Sequence, residues 1–196
     1  MRQSFEITDL SKKWMLEHFE KNGIAYNEPS MISVLKDEKS SIYSKRYAGV
    51  ALREIGTSKS LKTLENCIRH ANKDLQAISI LTIAQIGKND STEFFLSLLK
   101  EKRIQIAYVL WALFAIDDKE SVPAIERFVE SKMKIDKRPS SKKLSHVHHG
   151  IVMIENYGEE SELRTEILDF YNSNWEKLDI QQKNILKNNT EFYKNN

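Results

Sequence analysis

The sequence predicts an all-α protein built as a right-handed α-α superhelix, a solenoid of about four helix pairs with a capping segment at each end. Three observations support this fold class. A stretch of small and apolar residues at 47–56 returns at 78–87 and again at 107–117, a period of about 30 residues. Each copy is followed by a serine near the start of another apolar segment. The 196 residues include only six Gly and three Pro but 30% charged side chains, a composition that suits helices with one wet face.

We expect a single solenoid domain over residues 1–196, and residues 1–39 form its N-terminal cap. Apolar residues recur there at helical spacing, but the small-residue signature of the repeats is missing. Thr8 or Ser11 is expected to cap the first helix, Asn22-Gly23 to end it, and Pro29 to open a second, short helix.

Three repeats, each a pair of helices, are predicted over residues 40–132. The first helix of repeats one and two is expected to end at Gly56 and Gly87, which would supply a left-handed residue, and Asp117 stands at this place in repeat three. Small residues within the first helices predict close packing between neighbouring repeats. These residues are Ala48, Gly49, Ala51, Ser79, Thr82, Ala107 and Ala112.

The pattern breaks at residues 133–143, which we interpret as a basic insertion loop. Five bases face one acid there, and Pro139 prevents a continuous helix. A fourth repeat and the C-terminal cap follow over residues 144–196. The fourth pair spans about 144–157 and 163–171, and a last amphipathic helix begins near Trp175.

The repeats resemble the HEAT-like repeats of the bilin-lyase type, within the armadillo-like superhelix class. Asp74, Leu75, Ile86 and Gly87 match that pattern, whereas Gln76 stands where Arg is usual. The resemblance covers about residues 40–132. It implies a HEAT/ARM-like fold but says little about function, because such repeats serve many scaffolding and binding proteins. Lyase activity belongs to a subset of them, and no residue motif for it can be placed here.

Cysteine and histidine give no compelling site. Cys67 lies on the inward stripe of a helix and is expected to be a small buried hydrophobe. His146 and His149 share a helix face and could bring two imidazoles to one ion, but no Cys or paired acid nearby completes the roughly four ligands of a structural zinc site. His18 and His70 are isolated and compatible with the surface. We therefore expect no metal and no cofactor.

Paired acids occur at Asp117-Asp118 and Glu159-Glu160. We expect both pairs at helix starts or turns, where negative charge complements the helix dipole. That structural role is sufficient, and no arrangement of side chains in the sequence demands a reaction. The chain is therefore predicted to be non-enzymatic.

Acidic side chains gather on the second helices, which by the HEAT-like resemblance line the concave surface. This face should be acidic toward its C-terminal half, although a merely solvated face remains the alternative. We expect the acids of repeats three and four to project into the groove rather than pair with local Lys or Arg. The candidate partner-binding residues are Glu93, Glu126, Glu130, Glu162, Glu166 and Asp169.

The leading functional hypothesis is a protein-protein interaction module for a basic partner, such as a bacterial immunity protein that neutralises a nuclease toxin. The net charge of +2 lacks the global basicity of a dedicated nucleic-acid binder. Two alternatives stay open: a nucleic-acid-binding HEAT-like protein of the DNA-alkylation-repair kind, with Trp14, Trp111 and Trp175 as stacking faces, and a bilin-lyase-like chaperone or enzyme. Trp111 lies in an apolar run and is expected in the core.

The expected location is the cytoplasm, without membrane association. The first nine residues carry acids where a signal peptide needs an apolar stretch. No apolar run reaches the length of a membrane span.

Overall fold

A computed structural model describes residues 7–135 and 162–178, together with positions 180, 183, 184 and 187. Regular structure in these residues is helical throughout, and they contain no β-strand. The predicted all-α class is therefore confirmed for the described part of the chain. Contacts divide the chain into two compact units, an N-terminal unit of residues 1–91 with 102–105 and a C-terminal unit of residues 92–101 with 106–196.

The N-terminal unit contains five α-helices whose starts follow ordinary capping chemistry. At the start of the first helix, the Thr8 hydroxyl accepts a hydrogen bond from the Ser11 backbone N–H. At the start of the second, the Asn27 side chain accepts one from the Ser30 backbone N–H, and Pro29 lies in the first turn. The predicted helix starts in this segment are confirmed. The helices are α1 (Asp9–Lys21), α2 (Glu28–Lys36), α3 (Ile42–Ile55), α4 (Ser58–Cys67) and α5 (Lys73–Gly87).

Helix α3 lies at the centre of the N-terminal unit, where it packs against α2 and α5, and α4 packs against α5 as well. A Cβ atom added at Gly49 would lie 2.8 Å from Cγ2 of Ile78, so the backbones of α3 and α5 approach as closely as a glycine permits. The Thr82 hydroxyl donates to the Gly49 carbonyl at 3.0 Å at the same contact. Small residues thus bring α3 and α5 close together, as the sequence predicted for these two segments.

The two glycines at the ends of α3 and α5 do not have the left-handed backbone conformation that the sequence predicted. Gly56 has φ −77° and ψ 150°, which is extended backbone, and Gly87 is still helical while Lys88 takes the positive φ of 46°. A Cβ atom at Gly56 would lie 2.4 Å from the Leu52 carbonyl oxygen. The expected left-handed terminators at Gly56 and Gly87 are therefore wrong, and Gly56 needs glycine because a side chain there would collide with the backbone of Leu52.

Gln76 is a polar residue that is buried inside the N-terminal unit. Its side-chain oxygen accepts a hydrogen bond from the Gln105 backbone N–H at 2.8 Å, and the Gln105 side chain donates to the Lys73 carbonyl. The two glutamines therefore attach the segment 102–105 to the start of α5.

The C-terminal unit is organised around a central apolar helix. This helix is α7 (Ile106–Ile116), in which nearly every residue from Val109 onward is buried, including Trp111 at 3% exposure. The predicted core position of Trp111 is confirmed. Helix α6 (Thr92–Leu98) packs against α7, and α8 (Val122–Ile135) packs against α9 (Glu162–Ser173).

Helix α8 is longer than the repeat boundary implied. It runs to Ile135, so the first three residues of the predicted insertion 133–143 are helical, and that boundary is wrong by about one turn. The remainder of the insertion, the predicted helix 144–157, and the residues His146 and His149 lie outside the described residues.

The end of the chain agrees with the sequence prediction in part. Helix α9 buries Leu163, Ile167, Leu168 and Tyr171, which confirms a helix over the predicted range 163–171. A 3-10 turn at Trp175–Lys177 follows, and the Lys183 ammonium lies 5.5 Å from the centre of the Trp175 ring. Among the helices of the described residues, none has both the length and the apolar character needed to cross a membrane.

Candidate functional site

A groove of about 580 Å³ runs between α6 and α8 in the C-terminal unit. Its apolar surface comes from Leu96 and Leu99 beside α6 and from Ala124 and Phe128 on α8. Leu96, Ala124 and Phe128 are half-buried, and Leu99 is buried. The groove therefore offers apolar surface that solvent can reach, with a volume in the range typical of binding pockets.

The two helices run side by side in the same direction. The Thr92 hydroxyl, at the first residue of α6, donates to the Asp118 carboxylate at 2.7 Å, and Asp118 also caps the 3-10 turn (Lys119–Ser121) that leads into α8. The starts of α6 and α8 are therefore adjacent. Because the groove is lined by residues 93–100 and 120–131, both helices follow it away from this junction.

Charged side chains occupy the two ends of the groove. Glu93 and Glu120 lie near the start of the two helices, and Lys100 and Arg127 each follow seven residues later. Lys100 lies two residues past the end of α6, in a turn closed by i→i+3 hydrogen bonds, and Glu120 lies in the 3-10 turn before α8. Because α-helical and 3-10 segments rise about 1.5–2 Å per residue, seven residues separate the acidic end of the groove from its basic end by about 10 Å or slightly more. All four side chains are exposed, and none has an ion-pair partner among the described residues.

The expected partner-binding acids do not all lie in this groove. Glu93 lines it, but Glu126 and Glu130 are absent from its lining and are half-buried on another side of α8. At 100° per residue, both fall between the groove positions and the buried stripe that contains Val122 and Val129. The structure thus separates the acid of α6 from the two acids of α8.

The remaining three acids share one exposed face of α9. Glu162, Glu166 and Asp169 are spaced i, i+4 and i+7, and all are exposed. Glu162 forms an ion pair with Lys119, and this hydrogen-bonded partner raises the pKa of the Lys119 ammonium. The expectation that Glu162 avoids local bases is therefore wrong, because the first turn of α9 lies beside the turn that precedes α8.

The pair Asp117-Asp118 has the structural role that the sequence suggested. Asp117 has φ 60° directly after α7, and its carboxylate accepts hydrogen bonds from the backbone N–H groups of Glu162 and Leu163 at 3.3 and 2.9 Å. Asp117 thus caps the N-terminus of α9, while Asp118 caps the turn before α8. The other pair, Glu159-Glu160, lies outside the described residues.

Several groove residues escaped sequence reasoning. Phe128 shares the helical spacing of the apolar residues Val122, Ile125 and Val129, which predicts a core position, yet it is half-buried in the groove. Leu96, Lys100 and Arg127 were not singled out at all. The available signal was the seven-residue spacing of Glu93–Lys100 and Glu120–Arg127 on equivalent helices, which repeats the same acid-to-base order.

Cys67 and His18 are both structural. Cys67 is buried, and burial raises the pKa of its thiol, which confirms a small core residue rather than an activated nucleophile. His18 is half-buried with Nε2 2.9 Å from Oγ of Ser44 and its ring 5.0 Å from that of Tyr47, so the expected isolated surface position is wrong. No group of three or more potential metal ligands occurs within the described ranges.

Comparison of the chain with known protein families, with curated proteins and with solved structures found no match. The groove and the charged faces of α8 and α9 are therefore the features from which a function can be inferred.

Proposed function

We propose that this chain is a non-enzymatic protein-binding module of stacked HEAT-like repeats, and that the groove between α6 and α8 receives part of its protein partner. The observation that carries this proposal is the open groove of about 580 Å³. Its half-buried apolar residues, Leu96 and Phe128 among them, would be desolvated by a docked side chain. An apolar centre with a charged rim is the usual composition of a protein interface.

The charge of the groove supports a protein partner over a nucleic acid. Two acids and two bases line it, so it carries no net positive charge to neutralise phosphates. A polypeptide segment, which carries charges of both signs beside apolar side chains, complements such a lining better.

The exposed acids of α9 support a basic partner. Glu166 and Asp169 lie on one exposed helix face with Glu162, and exposed charges of one sign accelerate encounter with a partner of opposite sign. A toxin that acts on RNA or DNA carries positive charge to bind its substrate. Neutralisation of such a toxin is the role we assign to the chain.

The stacked-repeat architecture is part of the same proposal. It is supported by the close contact of α3 and α5 at Gly49 and Ile78, which are the first helices of two successive repeats. Repeats that bury a face against their neighbours leave an extended surface for a partner.

The proposal is tested by blocking the groove with one substitution and adding the same charge elsewhere. Ala124→Arg places a long side chain in the groove, whereas Asn66→Arg adds it at an exposed position of α4 in the N-terminal unit, away from the acidic face of α9. Tagged wild type and both variants are used to capture partners from the native host, and the retained protein is then purified and titrated. We expect a basic partner that the wild type and Asn66→Arg bind equally and Ala124→Arg loses. Equal capture by all three proteins would contradict the groove as the binding site, and a consistently acidic partner would contradict the assigned role.

A further inference from the structure

The charges along the groove follow a fixed order, with acids at one end and bases at the other. Glu93 and Glu120 lie at the end where Thr92 meets Asp118, and Lys100 and Arg127 lie about 10 Å further along. A ligand that crosses the apolar centre between them therefore meets opposite charges at its two ends.

We infer that the groove binds an amphipathic helix of the partner, antiparallel to α6 and α8, with an acidic residue in its first turn and a basic residue two turns later. This inference rests on the proposed function and specifies which segment of the partner docks. Its basis is the complementarity between four exposed groove charges and the charges of the bound helix.

The spacing follows from helix geometry. Two residues seven apart on a helix lie on one face and about 10 Å apart, which matches the separation of the acidic and basic ends. Apolar residues at i+3 and i+4 lie between them on the same face and would meet Leu96, Ala124 and Phe128. A helix of about 10 Å diameter can lie in the furrow between two parallel helices.

The direction follows from the helix dipole. A helix is most stable with acids near its N-terminus and bases near its C-terminus. The acid of the bound helix faces Lys100 and Arg127, at the end of the groove remote from the Thr92–Asp118 junction. Its N-terminus therefore lies at that end, and it runs opposite to α6 and α8, so that its dipole also opposes theirs.

The experiment uses two synthetic helical peptides of about 16 residues, long enough to hold partial helix in water. The forward peptide has Glu at i, Leu at i+3 and i+4, and Lys at i+7; the reversed peptide exchanges the Glu and the Lys. Binding of each dye-labelled peptide to the full chain is measured by fluorescence anisotropy at low and at physiological salt. We expect the forward peptide to bind about tenfold more tightly, with the difference decreasing as salt rises.

A charge-exchanged protein provides the matched control. Glu93→Lys and Glu120→Lys are combined with Lys100→Glu and Arg127→Glu, which leaves the net charge unchanged. All four side chains are exposed, so circular dichroism should match the wild type. Glu93 and Glu120 lie in first turns, where acids favour the helix dipole, so thermal unfolding should show a loss of about 0.3–1 kcal/mol for each of these two exchanges. This variant should prefer the reversed peptide. The pair Lys100→Glu with Arg127→Glu alone should abolish the preference, which provides a second test if the fourfold variant does not fold.

The remaining outcomes overturn the inference in distinguishable ways. If both peptides bind with equal affinity and Ala124→Arg abolishes this binding, the groove remains a peptide-binding site, but the inferred order of charges on the bound helix is refuted. Peptide binding that Ala124→Arg leaves intact, or no binding of either peptide, would refute a helix in this groove. Self-association in sedimentation velocity that Ala124→Arg dissolves would identify the occupant as a second copy of the chain. Capture of a basic partner by the wild type but not by Ala124→Arg would leave the proposed function standing in each case.

Discussion

The carboxylate of Asp117 accepts a hydrogen bond from the backbone N–H of Leu163 at 2.9 Å, across 46 positions of sequence. Asp117 also ends α7 with a φ of 60°, in the left-handed region that side chains other than Asn, Asp and Gly rarely adopt. One residue thus ends one helix and caps another.

Substitutions at Asp117 separate these two roles. Asp117→Gly keeps the backbone conformation and removes only the cap, so we expect a loss of about 0.5–2 kcal/mol. Asp117→Ala removes the cap and adds backbone strain of about 1–2 kcal/mol. Asp117→Asn retains both properties in weaker form. Urea unfolding should therefore give the stability order Asp, Asn, Gly, Ala, and equal stability of the Gly and Ala variants would contradict the strain argument.

The contact between α3 and α5 predicts that Gly49→Ala destabilises the wild type but stabilises a variant that lacks the Ile78 side chain. Gly49→Ala places a Cβ atom 2.8 Å from Cγ2 of Ile78, and such overpacking costs about 1–3 kcal/mol. Alanine itself is favoured over glycine in a helix by about 1 kcal/mol. In an Ile78→Ala background the clash is gone, so Gly49→Ala should become stabilising. A destabilising effect in both backgrounds, measured by thermal unfolding, would show that another contact sets the cost.

Leu98 tests the core of the C-terminal unit. It is 0% exposed at the end of α6, so Leu98→Ala should lower the free energy of unfolding by about 2–5 kcal/mol. The control is Leu10→Ala, because Leu10 is 56% exposed on α1 and its truncation should change stability by about 0.5 kcal/mol or less. Denaturant titrations that show similar losses for both variants would contradict the assigned burial.

The N-terminal unit should lose stability in acid through Glu28. Burial raises the pKa of this carboxylate, but hydrogen bonds from Ser60 and from the backbone and hydroxyl of Thr57 outweigh it, so the folded pKa lies below the ordinary 4.5. A lowered folded pKa means that the contribution is present above pH 4.5 and disappears as the pH falls through the folded pKa. Glu28→Gln should be less stable at neutral pH and should depend less on pH below 4.5. Parallel pH profiles of the two proteins would refute this role.

Charge reversal on α9 tests the basic partner. Glu166→Lys with Asp169→Lys changes two exposed side chains, so stability should change by about 0.5 kcal/mol per site or less. The association rate with the purified partner should fall, and its salt dependence should weaken. Reversal of Glu126 and Glu130 should cost more stability than reversal of the two α9 acids, because both are half-buried. Unchanged association kinetics in the α9 variant would rule out steering by this face.

Helix starts were predictable from sequence because capping is local. Thr8 and Asn27 each satisfy a backbone N–H three residues later, so nearby sequence contains the whole signal. The reasons why helices end were harder to predict from the sequence. Gly56 and Gly87 were correctly placed near the ends of α3 and α5, but neither has a positive φ, and at Gly56 the reason for glycine is close contact with the backbone of Leu52. The sequence shows where a glycine lies but not whether it is needed for a positive φ or for the space left by its missing side chain.

The candidate site was predictable only in part. Glu93 was named, but the groove depends on the hydrogen bond between Thr92 and Asp118, which are far apart in sequence. Helical periodicity assigned Phe128 to an apolar stripe and could not tell a core from the lining of a groove. Likewise, the spacing of Glu162 gave no indication that Lys119 would lie beside it.

The double role of Asp117 restricts how this position can vary in evolution. Glycine would adopt the positive φ after α7 but has no side chain to accept a hydrogen bond from the first turn of α9. Serine or threonine could accept such a hydrogen bond but would adopt the positive φ only with strain. Only asparagine combines a tolerance for positive φ with an acceptor of similar reach. Descendants of this sequence that retain both helices should therefore carry Asp or Asn at position 117. Position 88 is free to become Gly, because the hydrogen bond with which Lys88 caps α5 comes from its backbone N–H, which donates to the Ala84 carbonyl.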